Sequence, residues 1–120
     1  MINRRQVGYK YEEIAAQYLK EKGYILLEKN YYTRWGEIDL ILRKGSTIVF
    51  AEVKYRKNSR FGVPEEAVDW KKRQRIVKGA NWYLMTKGLQ GVAVSLDIVS
   101  IEGDQIRHIP GAINGEIGWI

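Results

Sequence analysis

The 120-residue chain has no cysteine, two prolines and one histidine, and its longest apolar runs are four residues. Lack of cysteine excludes a disulfide-stapled scaffold. A folded chain of this size buries roughly two-thirds of its unfolded surface, enough core to do without staples. The lone His108 has no cysteine or second histidine near it, which argues against a zinc site, and no role is assigned to it. With prolines only at Pro64 and Pro110 and no low-complexity tract, nothing marks a linker. One domain over residues 1–120 is expected, with Gly111 to Ile120 as a loosely ordered tail. Runs such as Tyr24-Ile25-Leu26-Leu27 and Ile48-Val49-Phe50-Ala51 fall far short of the roughly twenty apolar residues of a membrane-spanning helix. Asn3-Arg4-Arg5-Gln6 leads into an amphipathic stretch rather than an apolar signal core, so a cytoplasmic protein with no membrane partner is expected.

Positive charge is in surplus. Twenty lysines and arginines face fourteen acids, giving a net charge of +6 and a pI near 9.5, a balance that favours an anionic partner such as nucleic acid. Apolar residues at Tyr11, Ile14, Ala15, Tyr18 and Leu19 mark one face of a helix that Gly23 stops. Tyr24 to Lys29, Trp35 to Arg43 and Thr47 to Arg56 are rich in β-branched and aromatic residues and read as an antiparallel meander, with Lys44-Gly45-Ser46 as a turn. Pro64-Glu65-Glu66 has the chemistry of a helix start, and that helix runs to about Lys87 before Gly88. Gly91 to Glu102 and Gln105 to Ile109 form a last strand pair around Gly103-Asp104. The order α-β-β-β-α-β-β predicts an α/β (α+β) protein with a central mixed sheet flanked by helices.

Chemistry concentrates in Gly36-Glu37-Ile38-Asp39-Leu40-Ile41 and Phe50-Ala51-Glu52-Val53-Lys54. Alternation along a strand puts Glu52 and Lys54 on one face. Asp39 joins them if the hairpin loop is even, standing opposite Glu52, whereas an odd loop separates the two. Paired carboxylates so placed suit a hard cation, Mg²⁺ or Mn²⁺, and a nearby lysine can assist a water or steady a phosphate. The competing reading is an exposed cross-strand ion pair, but the apolar neighbours of these charges argue for partly buried strands. At about 100° per residue, Glu12 borders the apolar stripe of the first helix and Glu13 lies nearly opposite, so only Glu12 reaches the sheet. Arg56, Lys57 and Arg60 follow the charged strand, and Lys71, Lys72, Arg73, Arg75 and Lys78 lie on the second helix. Both groups are candidates to track a phosphate backbone, with Tyr55, Phe61 and Trp70 interleaved as stacking or groove-lining rings, although core packing is the commoner fate of any one aromatic; a solvated helix face is the plainer alternative for the charges.

Taken together, Glu12-x-x-Ala15-x-x-Tyr18-Leu19, Gly23-Tyr24, Asn30, Gly36-Glu37-Ile38-Asp39-Leu40-Ile41, Phe50-Ala51-Glu52-Val53-Lys54-x-Arg56 and Lys72-x-x-Arg75-Ile76 resemble the YraN family of small bacterial proteins. Members are predicted nucleases of restriction-endonuclease-like fold, distantly similar to archaeal Holliday junction resolvases. The resemblance covers about residues 8–101. It implies Asp39 and Glu52 as ligands of one or two Mg²⁺ or Mn²⁺ ions, Lys54 assisting the water, Glu12 completing the acidic cluster and Lys72 facing the site. The chain departs from the family at Ser95, where arginine is common two residues before Asp97, and at Ala51, where valine is usual. The function so implied is a metal-dependent endonuclease hydrolysing phosphodiester bonds of DNA, including branched or junction DNA. By analogy with resolvases, which cut two strands, a homodimer is implied. The alternatives are a non-catalytic nucleic-acid-binding module serving DNA uptake or recombination and, from another class, a protein-interaction domain.

Overall fold

The computed structural model describes residues 4–58 and 70–113. Helix α1 spans Arg4–Glu21 and begins ahead of the apolar stripe that starts at Tyr11, with the straight-chain helix formers Arg4, Arg5 and Gln6 in its first turn. Its end is a Schellman motif: Tyr24 N–H donates to Leu19 O at 3.1 Å and Gly23 N–H to Lys20 O at 3.0 Å, with Gly23 at φ +92°. Strands β1 (Ile25–Thr33), β2 (Gly36–Lys44) and β3 (Thr47–Arg56) follow as the meander. Strand β1 outruns the Lys29 boundary expected from pattern and includes Tyr31, Tyr32 and Thr33. Helix α2 spans Trp70–Thr86; the helix start expected at Pro64 to Glu66 lies outside the described residues. Leu89 N–H to Leu84 O at 2.8 Å and Gly88 N–H to Met85 O at 3.2 Å close it with a second Schellman motif. Strands β4 (Ala93–Glu102) and β5 (Gln105–Ile109) complete the chain order.

The five strands lie in sequence order, β1-β2-β3-β4-β5. Only β3 and β4 are parallel, as they must be when α2 carries the chain from one end of the sheet back to the other. Helix α1 covers one face through Ala15, Ala16 and Leu19, packed on Leu40, Leu42, Val49, Ala51 and Val99. Helix α2 covers the opposite face through Ile76, Val77, Ala80, Tyr83 and Leu84, packed on Ile38, Ile41, Phe50 and Ile98. Gly79 sets the α2 spacing, since a Cβ there would lie 3.0 Å from Ile38 Cδ1. Past β5 the chain turns back so that Ile113 N–H donates to Leu96 O at 3.1 Å and its side chain joins the α2-side core. The expected tail is therefore part of the core as far as Ile113, and its remainder lies outside the described residues. None of the described helices is long and apolar enough to cross a membrane. The architecture is compatible with a restriction-endonuclease-like fold.

One irregularity sets up the site. Ile38 and Leu40 are two apart on β2 and should share a face, yet Ile38 packs under α2 and Leu40 under α1. The switch falls at Asp39 and the facing part of β1, where Asn30 sits at φ +50°, a left-handed conformation that asparagine tolerates better than most residues. Side chains at this point reach both helices: Asn30 bonds Glu12 of α1, and Asp39 shares a cleft with Lys72 and Arg75 of α2.

Candidate metal-binding cleft

Burial separates the two glutamates of α1. Glu12 is buried, while Glu13 is exposed and ion-paired with Lys29. Asn30 Nδ2 donates to Glu12 Oε1 and to Glu37 Oε1, each at 2.6 Å. Gly45-Ser46 is an even, two-residue loop, and the β2–β3 ladder runs from Lys44↔Thr47 to Leu40↔Ala51, so Asp39 and Glu52 are next in register. There the Asp39 carboxylate Oδ2 accepts from Val53 N–H at 2.9 Å. One carboxylate oxygen from each of Glu12, Glu37 and Asp39 lies within 4.8 Å of the other two. Glu52 is 2 % exposed; its Oε1 is 2.6 Å from Lys72 Nζ, and its Oε2 is buried with no hydrogen-bond partner among the described residues. Asp39, Glu37, Glu52, Lys72 and Arg75 line a cleft of about 340 Å³ together with Trp35, Gly36 and Ile76.

These carboxylates crowd one another in a poorly solvated place. Burial raises Glu12 to about 7, with Asp39 and Glu37 adding to the rise and the Asn30 amide opposing it. Burial, and then Asp39, raise Glu52 to about 8 against the pull of Lys72. Burial and the Lys72 ammonium depress Lys54. Burial also works against the charge on Lys72, but Glu52 outweighs it and the ammonium is held above its ordinary value. All donors of the acidic group are carboxylate oxygens, the hard ligands that Mg²⁺ and Mn²⁺ prefer. A divalent cation would relieve the excess of negative charge and give the orphaned Glu52 oxygen a partner.

The residues expected from sequence do not all meet in the arrangement expected. Asp39, Glu12, Glu52 and Lys54 come together, but the tight trio of oxygens uses Glu37, whereas Glu52 is engaged by Lys72. Glu37 and the Asn30 amide that joins two of the acids were passed over as site residues. Glu37 was within reach of sequence reasoning, because a residue two before Asp39 on a strand shares its face. Asn30 was not, since its position depends on a left-handed backbone. Among the basic residues, Lys71, Arg75 and Lys78 are exposed on α2, Lys72 and Arg73 are half-buried, Lys57 is exposed and Arg56 is half-buried with Nε buried. Arg60 and Phe61 lie outside the described residues. Tyr55 is not an open stacking ring: it lies on Tyr11 with centroids 3.7 Å apart, fastening α1 to β3. Trp70 is 71 % exposed. The His108 side chain is largely covered, its Nε2 2.6 Å from Asp97 Oδ2, while the Ser95 hydroxyl and Gly111 N–H donate to Asp97 Oδ1.

The fold and its carboxylate-lined cleft define a mixed α/β protein with an acidic trio contributed by helix α1 and strand β2. Residues 11–101 match the family described as Uncharacterised protein family UPF0102, which is the YraN family, and the chain belongs to it. It is 40% identical over 119 residues to a UPF0102 protein of Fusobacterium nucleatum, covering 98% of this chain and all of that one. It is 48% identical over 112 residues to a UPF0102 protein of Syntrophomonas wolfei, covering 90% of this chain and 97% of the relative. A UPF0102 protein of Caldanaerobacter subterraneus is 46% identical over 100 residues, 83% of this chain and 82% of the relative.

Proposed function

We propose that the cleft hydrolyses phosphodiester bonds of DNA with Mg²⁺ or Mn²⁺ as cofactor. The observation that carries this reading is the convergence of Glu12, Glu37 and Asp39 oxygens within 4.8 Å beside a cleft walled by Glu52, Lys72 and Arg75. Glu12, Glu37 and Asp39 would hold the ion, with Glu52 next to them; when bound, it supplies Lewis acidity toward the phosphate and the attacking water. The chain's own part is positioning and charge. Arg75 and Lys72, on the α2 wall, offset phosphate charge, and Lys72 also keeps Glu52 in place at 2.6 Å. Lys54, whose ammonium is disfavoured by burial, is suited to exchange a proton with water at the cleft. Lys71, Arg75 and Lys78 provide sequence-independent affinity. Branched or junction DNA is the substrate to try first, on the strength of the family resemblance.

The test is incubation of wild-type and Asp39→Asn protein with linear duplex, single-stranded, flap and four-way-junction DNA in Mg²⁺, Mn²⁺ or EDTA. Cleavage that needs the ion and disappears in the variant is the expected outcome; cleavage that survives Asp39→Asn overturns the assignment. A second reading, a nucleic-acid-binding module without hydrolysis, draws on the Asn30 amide already satisfying Glu12 and Glu37. It predicts salt-sensitive binding with every DNA and RNA substrate left intact.

A further inference from the structure

The proposed chemistry has no use for Trp35 in the cleft wall or for Trp82, whose ring touches it. Trp35 lines the cleft, immediately before Gly36-Glu37, and its ring meets Trp82 of α2 edge-on, centroids 6.2 Å apart at 65°. Trp82 is 40 % exposed, and the Arg34 guanidinium lies 5.5 Å from the Trp35 ring centroid. Exposed Lys71, Arg75, Lys78 and Trp82 fall at i, i+4, i+7 and i+11, within a narrow arc at 100° per residue. Arg75 belongs both to this stripe and to the cleft wall. A row of cations thus runs past Arg75 at the cleft wall toward Trp82, about 10 Å further along the helix, where Trp35 meets it.

We propose that Trp35 and Trp82 are a stacking platform for an unpaired base of single-stranded DNA whose phosphates follow Lys71, Arg75 and Lys78. The inference deepens the nuclease reading, on which its functional meaning rests, by naming the strand the cleft accepts. Bases inside a duplex already have both faces stacked, so a tryptophan can engage only a base that is unpaired. The partner is argued from charge: the helix face beside the rings carries cations, which an apolar protein partner does not require and a phosphate backbone does.

Binding in EDTA separates this inference from hydrolysis. Wild-type protein is titrated with oligo(dT) and with an abasic strand of equal length, which keeps the phosphates and lacks the bases. Wild type is expected to favour oligo(dT) about tenfold, within the range for one stacked base. Trp82→Ala and Trp35→Leu should bind both strands alike, and Trp82→Phe should retain most of the preference. Equal wild-type binding to the two strands overturns the platform, as does a preference that persists in both variants. Self-association of the wild type that Trp82→Ala abolishes would instead assign the pair to a contact between chains. A base preference without cleavage overturns the nuclease reading alone, and cleavage without a base preference overturns the platform alone.

Discussion

Asp97 and Glu52 are almost equally buried, at 1 % and 2 % exposure, on adjacent parallel strands, yet their surroundings differ in kind. Asp97 is complete within its own chain: His108, the Ser95 hydroxyl and the Gly111 N–H occupy its two oxygens, and the Tyr24 ring lies edge-on to His108. Glu52 has Lys72 on one oxygen and, among the described residues, no hydrogen-bond partner on the other, and the Asp39 carboxylate stands close by. A buried acid whose oxygens are all taken fastens β4 to β5 and to the chain beyond. A buried acid in surplus destabilises the fold by itself, and such a site makes sense where something positively charged comes to occupy it.

The sharpest way to break this contrast is substitution on each side of it. Asp39→Asn should lower any metal-dependent cleavage by at least about a hundredfold, a loss of roughly 3 kcal/mol in transition-state stabilisation, and abolish Mn²⁺-induced thermal stabilisation. The fold should survive, because an amide oxygen can still accept from Val53 N–H. Asp97→Ala should do the opposite. Leaving His108, Ser95 and the Gly111 N–H unpaired should cost about 3 kcal/mol in urea unfolding, with Mn²⁺ affinity of the folded protein unchanged.

The acid surplus also has a signature in pH. Glu12 near 7 and Glu52 near 8 lie above their ordinary value of 4.5, so between those limits the folded chain keeps protons that the unfolded chain has released. Stability of the metal-free protein is therefore expected to be fully present below about pH 4.5 and to fall as pH rises toward 8, by an amount on the order of a few kcal/mol. Thermal unfolding from pH 5 to 8 measures it, and Mn²⁺ should remove most of the decline. Glu12→Gln should raise metal-free stability at pH 8 by about 1 kcal/mol while weakening Mn²⁺ binding, a trade characteristic of functional positions. Its neighbour supplies the smallest effect. Glu13→Ala removes only an exposed pair with Lys29 and should change stability by less than about 0.5 kcal/mol.

Much of the frame could be read before any coordinates. The glycines that stop both helices and the α-β-β-β-α-β-β order follow from local signals of turn chemistry and periodicity, whereas the parity of the hairpin loop, which decides whether Asp39 stands opposite Glu52, does not. The placement of Glu12 inward and Glu13 outward follows from helix geometry alone. Three things escaped. The polar opening turns of α1 carry no apolar stripe. Strand β1 runs on past Lys29 through Asn30, a residue type depleted in strands, which here takes up a left-handed backbone within one. The membership of Glu37 in the acidic trio and the contact of Trp35 with Trp82 depend on how strand ends and α2 meet, and single-element patterns do not encode that. Charge pattern does not tell the basic residues of α2 apart, and only the family resemblance singles out Lys72 as facing the site: its ammonium pairs with Glu52, while Arg75 and Lys78 are exposed and Arg75 also lines the cleft.

Asn30 has a second consequence, for the solubility of the molecule rather than its chemistry. Strand β1 is an edge of the sheet and carries exposed Ile25, Leu27 and Tyr32, the kind of strand on which another chain can add by edge-to-edge pairing. Its pairing with β2 already slips between Leu26 and Glu28, and four residues after Leu26 the backbone turns left-handed. Neither half of the edge offers an incoming strand a long regular row of donors and acceptors. The residue that draws two acids together also keeps one copy of the chain from templating the next.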